Sequence, residues 1–310
     1  MSAAAARAGR VSAPWLLLSA ASLFWALNLV IGRGMRAEIP PVAMSFWRWT
    51  IAFAIILPFT AGALWRERQT ILQHWRVLAL LGLVGICLFN TMCYIGLTAT
   101  TATNATLFNS VVPVLIPPIA WLLIRERTRP RQFAGILLSL MGVVVIVAQG
   151  SVEVLRTLQF NRGDLWLLAA MVLWALYTVL LRFRPARFGM LDFLAVILLF
   201  GWPMLLVWYG FEVAGGASVQ WNPKTAMVLA YYGIFPAVLA FVCYNRGVAA
   251  IGPTRAGIFV HLVPVFGIGL STVFLGEAPR FYHAVGILLI FSGIGLTTWP
   301  RAEGEGRRRG

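Results

Sequence analysis

The chain has 310 residues, of which 60% are hydrophobic and 11% charged, against roughly 25% charged in an ordinary soluble domain. That composition excludes a water-facing shell and leaves hydrocarbon as the solvent for most outward side chains. The formal charge of +15 does not mark a nucleic-acid binder, because the basic residues lie in short clusters between apolar runs and form no continuous patch.

A helix crossing a hydrocarbon core of about 30 Å needs about 20 apolar residues. In chain order such runs are read at 15–32, 42–59, 77–95, 105–124, 132–149, 165–181, 191–211, 225–244, 254–275 and 283–299. The first follows Arg7 and Arg10 but is too long for a signal-peptide core and no A-x-A site follows, so it is read as an uncleaved helix. Cys87, Cys93 and Cys243 all fall inside these runs without ligand-like spacing, which argues against a zinc site or a disulfide framework. The expected fold is therefore an all-α polytopic membrane protein with ten transmembrane helices. With the N-terminus inside, eighteen basic residues fall in inner segments, six in outer ones, and Arg48 within the second span. The positive-inside rule then puts both termini in the cytoplasm.

An internal repeat organises the chain. A shift of 151 positions lays Gly96 on Gly247, Thr103 on Thr254, Phe108 on Phe259, Pro113 on Pro264, Glu126 on Glu277, Gly135 on Gly286 and Gly142 on Gly293. Of the 52 ungapped positions from Tyr94 to Val145, 15 are identical. A shift of 149 joins Trp25-Ala26-Leu27 to Trp174-Ala175-Leu176 and Arg33 to Arg182. The expected division is a cytoplasmic segment 1–14, a first five-helix repeat 15–150, a periplasmic loop 151–162, a second repeat 163–300 and a cytoplasmic tail 301–310. Because five is odd, the second copy enters the membrane from the opposite side. Such inverted repeats place a substrate site near the midplane and permit alternating access.

The run Trp25-Ala26-Leu27-Asn28, Arg48, Pro113-Val114, Glu126, Gly135, Gly142 and their second-half copies resemble the EamA-type members of the drug/metabolite transporter superfamily, over nearly the whole chain. The resemblance implies a central cavity lined by helices 1 to 4 and 6 to 9, with helices 5 and 10 set aside, and export of small metabolites. Within the superfamily the aromatic-rich polar positions are most similar to the YddG-type aromatic amino acid exporters.

Helical rise puts Trp25 and Trp174 about 14 to 15 Å deep, near the bilayer centre. Tryptophan ordinarily settles at the interface and its indole N–H needs a partner when buried, so the pair is assigned to a substrate-lining wall, with plain helix packing as the alternative. Pro113 and Pro264 occupy matching mid-membrane positions and are read as hinges; generic kinking, as at Pro117, Pro118, Pro203 and Pro236, is the competing reading. Polar groups in hydrocarbon face a bundle interior or a cavity. On that ground Asn28, Asn90, Tyr94, Tyr177 and His261 are substrate-binding candidates, each against the commoner role of an interhelical hydrogen bond worth about 0.6 kcal/mol. Arg48, about 9 Å below the outer surface by helical rise, is a candidate carboxylate ligand, with a snorkelling or interhelical role as the alternative. Glu126 and Glu277 are read as structural caps, and Gly135, Ser139, Gly286, Gly293 and Gly295 as close-packing surfaces.

No acidic residue falls in the middle of a span, so a carboxylate for ion coupling is missing, and no G-x-x-x-x-G-K-[ST] motif occurs. The expectation is not an enzyme and needs no cofactor or metal. It is a monomeric inner-membrane exporter of small metabolites, amino acids including aromatic ones, whose partners are that solute and the lipid bilayer. A multidrug or nucleotide-sugar carrier, a channel and a membrane scaffold are the rival readings.

Overall fold

The computed structural model describes residues 3–32, 38–100, 102–159, 161–275 and 278–298. Arg33, Arg36, Thr101, Glu277 and the tail 301–310 lie outside the described residues. All regular structure among the described residues is helical. The long helices are α1 (Ala3–Gly32), α2 (Pro41–Arg66), α3 (Trp75–Ala99), α4 (Ala102–Asn109 and Val112–Ile124), α5 (Pro130–Val147) and α6 (Arg162–Leu180). They are followed by α7 (Met190–Ala214), α8 (Pro223–Ile251), α9 (Pro253–Gly257, a 3-10 turn Ile258–His261, then Leu262–Leu275) and α10 (Phe281–Thr298). Among the described residues nine helices are long and apolar enough to cross a membrane, against the ten spans expected; in α1 the apolar stretch Ala13–Asn28 is shorter. Large apolar side chains such as Phe59, Phe211 and Phe281 face outward, as lipid contact demands.

The helix starts follow local chemistry. Pro41, Pro130, Pro223 and Pro253 stand in first turns, where a missing N–H costs nothing. The Asn161 side chain accepts from the Gly163 and Asp164 amides to cap α6, and Asn222 accepts from Thr225 to cap α8. The start of α2 has no cap of its own; Glu212, near the end of α7, accepts from the amides of Val42 at 2.9 Å and Ala43 at 2.7 Å. A carboxylate there satisfies two orphan donors and complements the helix dipole.

Packing contacts recur in pairs that the repeat relates. Gly135 of α5 meets Gly293 of α10, and Gly142 meets Gly286, so each glycine faces the repeat copy of the other. A Cβ on Gly142 would lie 2.6 Å from the Gly286 carbonyl oxygen; the two backbones touch because neither side chain exists. Gly295, expected in the same surface, has nothing within 4 Å of such a Cβ. Gly96 of α3 packs on Leu167 of α6, and its copy Gly247 of α8 packs on Leu18 of α1, the residue related to Leu167 by the 149 shift. Likewise Gly82 meets Gly201 while its copy Gly233 meets Ile51 and Ala52.

Irregularities recur in the same way. The π-helical stretch Leu83–Leu88 inside α3 has a counterpart Gly233–Leu239 inside α8. The break in α4 at Ser110 falls on His261, the last residue of the 3-10 turn in α9. Pro113 and Pro264 each stand in the first turn of the helical piece that follows such a break, where a missing N–H is tolerated. On the side where α2 meets α8, Glu38 accepts hydrogen bonds from Lys224 at 2.7 Å, Thr225 at 3.1 Å and Asn222 at 3.2 Å. The Lys224 hydrogen bond is the main reason its carboxyl lies below the usual range.

Adding a methyl at Gly142 is expected to destabilise the α5–α10 pair by about 1–3 kcal/mol, whereas Gly295→Ala has open space and costs nothing; thermal unfolding of the two variants in detergent checks the contrast. Because the Glu38 carboxyl is held low, its stabilising contribution is present above pH 4.5 and lost as pH falls through the lowered value. The difference in melting temperature between wild type and Glu38→Gln is therefore expected at neutral pH and expected to vanish in acid.

Candidate functional site

A cavity opens between the two sets of helices. Its wall is built from α1, α2, α3, α4, α6, α8 and α9; α5 and α10 stand outside it, and α7 contributes no wall residue. Its volume is about 100 Å³, below the roughly 300–1,000 Å³ of sites for drug-sized ligands.

The floor is aromatic. Trp25 of α1 and Trp174 of α6 meet edge to face, their ring centroids 5.3 Å apart. Trp174 also lies 4.5 Å from Phe89 and 5.3 Å from Phe241, both on the cavity wall. Behind the wall it stacks on Tyr177 at 5.2 Å and contacts Tyr244 at 5.2 Å. Such offset and edge-to-face contacts each add about 0.5–1.5 kcal/mol beyond buried area. The floor joins four helices in one ring cluster.

The polar groups sit above it. Arg48, 3% exposed, donates from Nη1 to the Tyr94 hydroxyl and from Nη2 to the Pro236 carbonyl, both at 2.9 Å. Pro236 belongs to the π-helical stretch of α8, so the irregular turn supplies a carbonyl to a buried cation. The guanidinium also lies 5.2 Å from the Trp49 ring. Its Nε has no hydrogen-bond partner, and among the described residues it forms no salt bridge. A buried cation without an anion is costly unless a ligand supplies the charge. Asn28 also reaches the cavity with its Oδ1 unpartnered, while its backbone carbonyl accepts from the Tyr232 hydroxyl at 3.2 Å. Asn90 donates to the Gly85 carbonyl five residues back, at 3.3 Å, a reach that the π register of α3 permits.

Of the eight substrate-binding candidates, the structure brings Trp25, Asn28, Arg48, Asn90, Tyr94 and Trp174 to the cavity wall. Tyr177 and His261 are not on it. The Tyr177 hydroxyl faces the Asn245 carboxamide, 3.0 Å from Nδ2. His261 is fully buried, with Nδ1 2.7 Å from the Ser139 hydroxyl and Nε2 2.9 Å from the Ser110 carbonyl. That carbonyl can only accept, so the proton sits on Nε2 and Ser139 donates to Nδ1. The contact ties the break in α4 to the one in α9 and to α5.

Phe89, Met171, Cys93 and Phe241 also line the cavity and were not singled out. They look like ordinary apolar span residues, and the available signal was the repeat itself, since Phe241 is the copy of Asn90. Away from the cavity, the buried Asp164 accepts from the Thr100 hydroxyl, from Asn104 at 3.1 Å and from the Asn161 amide at 2.8 Å. That carboxylate closes the start of α6.

Comparison with known proteins agrees with this architecture. The sequence model of the EamA-like transporter family matches residues 13–148 and again 161–299. An uncharacterized transporter of Archaeoglobus fulgidus is 28% identical over 285 residues, covering 91% of this chain and 96% of its own. The uncharacterized transporter YyaM of Bacillus subtilis is 27% identical, covering 90% and 92%. A Streptantibioticus cattleyicolor protein named "Probable terminal-alkyne amino-acid exporter" is 26% identical, with 82% of each chain covered. A solved crystal structure superposes with a TM-score of 0.74 over 93% of this chain and 96% of that one, at 24% identity, and so shares the fold. With helices apolar enough to cross a bilayer, a cavity at their centre and the family match over both halves, the chain belongs to the EamA-like transporter family and is an integral membrane transporter.

Proposed function

We propose that the protein exports small metabolites, amino acids including aromatic ones, across the cytoplasmic membrane by alternating access between two inverted halves, 15–150 and 163–300, with both termini inside. The observation that carries the substrate class is the Arg48 guanidinium: buried, on the cavity wall, without an acidic partner among the described residues, and with Nε unsatisfied. A carboxylate is the ligand such a group accepts best. Asn28 Oδ1 is an acceptor suited to the ammonium of the same solute, and the Trp25, Phe89, Trp174 and Phe241 rings suit an apolar side chain.

The reciprocal glycine contacts, the paired π-helical stretches and the odd number of helices per repeat support the inversion. The amino-acid exporter among the relatives supports the substrate class. A cavity of about 100 Å³, well below the roughly 300–1,000 Å³ of drug-sized sites, disfavours a multidrug or nucleotide-sugar cargo. With no mid-span carboxylate in the sequence, exchange or facilitated diffusion is favoured over strict proton antiport.

Purified protein in liposomes loaded with unlabelled aromatic amino acids is expected to show saturable counterflow of labelled phenylalanine or tryptophan. No counterflow of any amino acid by folded protein would retire the substrate class. Arg48→Gln is expected to weaken apparent affinity at least about tenfold, since hydrogen bonds to charged groups contribute about 1.5–3 kcal/mol, and Arg48→Lys to weaken it less. Trp25→Ala and Trp174→Ala are expected to abolish saturation at the same solute concentrations. Collapsing the proton gradient is expected to leave exchange unchanged, which the same liposomes with a protonophore test.

A further inference from the structure

Beside the cavity, α6 and α8 share a polar pair whose repeat copy stands unmade on the cavity wall. There α6 and α8 are joined twice. The Tyr177 hydroxyl faces the Asn245 carboxamide, with Nδ2 at 3.0 Å and Oδ1 at 3.2 Å. At the adjacent positions, the Thr178 hydroxyl donates to the Trp174 carbonyl at 2.8 Å and so accepts from the Tyr244 hydroxyl at 3.0 Å. All four side chains are buried.

The repeat identifies their partners in the other half. The 149 shift takes Tyr177 to Asn28, and the 151 shift takes Asn245 to Tyr94. Both shifts are anchored by contacts on the same helices, because Gly96 packs on Leu167 where Gly247 packs on Leu18, and Gly82 and Gly233 fix the other end of α3 and α8. The copy of the Tyr177–Asn245 bond is therefore Asn28 with Tyr94: the same two residue types, exchanged between the helices. In this structure that bond does not exist. Asn28 Oδ1 has no partner, and the Tyr94 hydroxyl is held by Arg48. Accepting from Arg48 leaves the Tyr94 proton available to an acceptor such as Asn28 Oδ1.

We propose that these two pairs are the gates of the transporter: Tyr177–Asn245 is the closed gate of the state described here, and Asn28–Tyr94 forms when the other side closes. The proposal rests on the alternating-access reading above. The second bond of the closed gate, Thr178 with Tyr244, maps by the same shifts onto Leu29 and Cys93, which cannot reproduce it. The gate at Asn28–Tyr94 therefore closes with fewer hydrogen bonds, and the state with Tyr177–Asn245 made is the resting one. Arg48 has no repeat copy, since the 149 shift puts Ile197 in its place. It keeps Tyr94 on the cavity wall until a carboxylate draws on the guanidinium, which couples solute binding to release of the tyrosine.

Cys93 lies on the cavity wall and reports which side is open. Intact cells treated with a membrane-impermeant maleimide, with modification at Cys93 resolved from Cys87 and Cys243 by peptide mass spectrometry, read this without any solute. Wild type is expected to label from the outside. Tyr177→Phe or Asn245→Ala is expected to change this outside labelling little, because the open state dominates, but to speed labelling in inside-out vesicles, which reads the minor state, about three- to tenfold, the population shift that loss of one buried hydrogen bond produces. Asn28→Ala in the Tyr177→Phe background is expected to restore the wild-type rate. Misfolding would drive both substitutions in one direction, so this opposition of sign is what the proposal requires. Unchanged labelling of Tyr177→Phe in inside-out vesicles, or a further rise in the double variant, overturns it, and intact counterflow in that case leaves the transport reading standing. The expected shifts without any counterflow would instead keep the gates and retire the amino-acid substrate.

Discussion

The structure is organised around one buried guanidinium that the surrounding hydrocarbon cannot solvate. Arg48 is satisfied by a tyrosine hydroxyl from α3 and a backbone carbonyl from α8, and it leans on the ring of its own neighbour Trp49. The carbonyl it uses lies in the π-helical stretch Gly233–Leu239, where the regular four-residue ladder of α8 is interrupted. Its Nε is left without a partner, and the residue stands on the cavity wall.

The second organising feature is the near-symmetry of the two halves and the places where it fails. Backbone contacts keep it: Gly142 against Gly286, Gly135 against Gly293, Gly96 with Leu167 against Gly247 with Leu18. Such contacts belong to the scaffold, where the helices approach too closely for any side chain at these positions. Side chains of the cavity break it. The repeat copy of Arg48 is Ile197 and that of Asn90 is Phe241. A binding site needs a head end and an apolar end, and two identical halves could not supply both.

Much of this was legible in the chain itself. Apolar runs bounded by arginine located the helices, because hydrocarbon allows no other backbone arrangement. Yet α1 begins at Ala3 rather than 15, and α2 and α8 continue to Arg66 and Ile251 rather than ending at 59 and 244, since a helix can run on past the hydrocarbon that its apolar stretch marks. Trp25 and Trp174 were found by depth alone, since a tryptophan far from the interface needs a reason to be there. Tyr177 and His261 were selected by the same logic, yet the structure places them off the cavity, with Asn245 and with Ser139 and Ser110 as partners. A polar residue in a span must be satisfied, but span position does not say whether a neighbouring helix or a solute does it. Phe89, Phe241 and Met171 were missed for the complementary reason, that an apolar side chain costs nothing in lipid and carries no signal of facing a cavity.

By itself the sequence determined a helical membrane protein made of a duplicated unit, because hydropathy, charge placement and internal identity are properties of the chain read along its length. Only the tertiary structure decided which polar residues meet. Partners such as Arg48 and Pro236, or Tyr177 and Asn245, lie on helices far apart in the chain, and no local rule states their distance. It also decided that one of two repeat-related pairs is bonded and the other is not. That asymmetry is not legible along the chain, since the chain carries both pairs and which of them is bonded depends on how the helices pack.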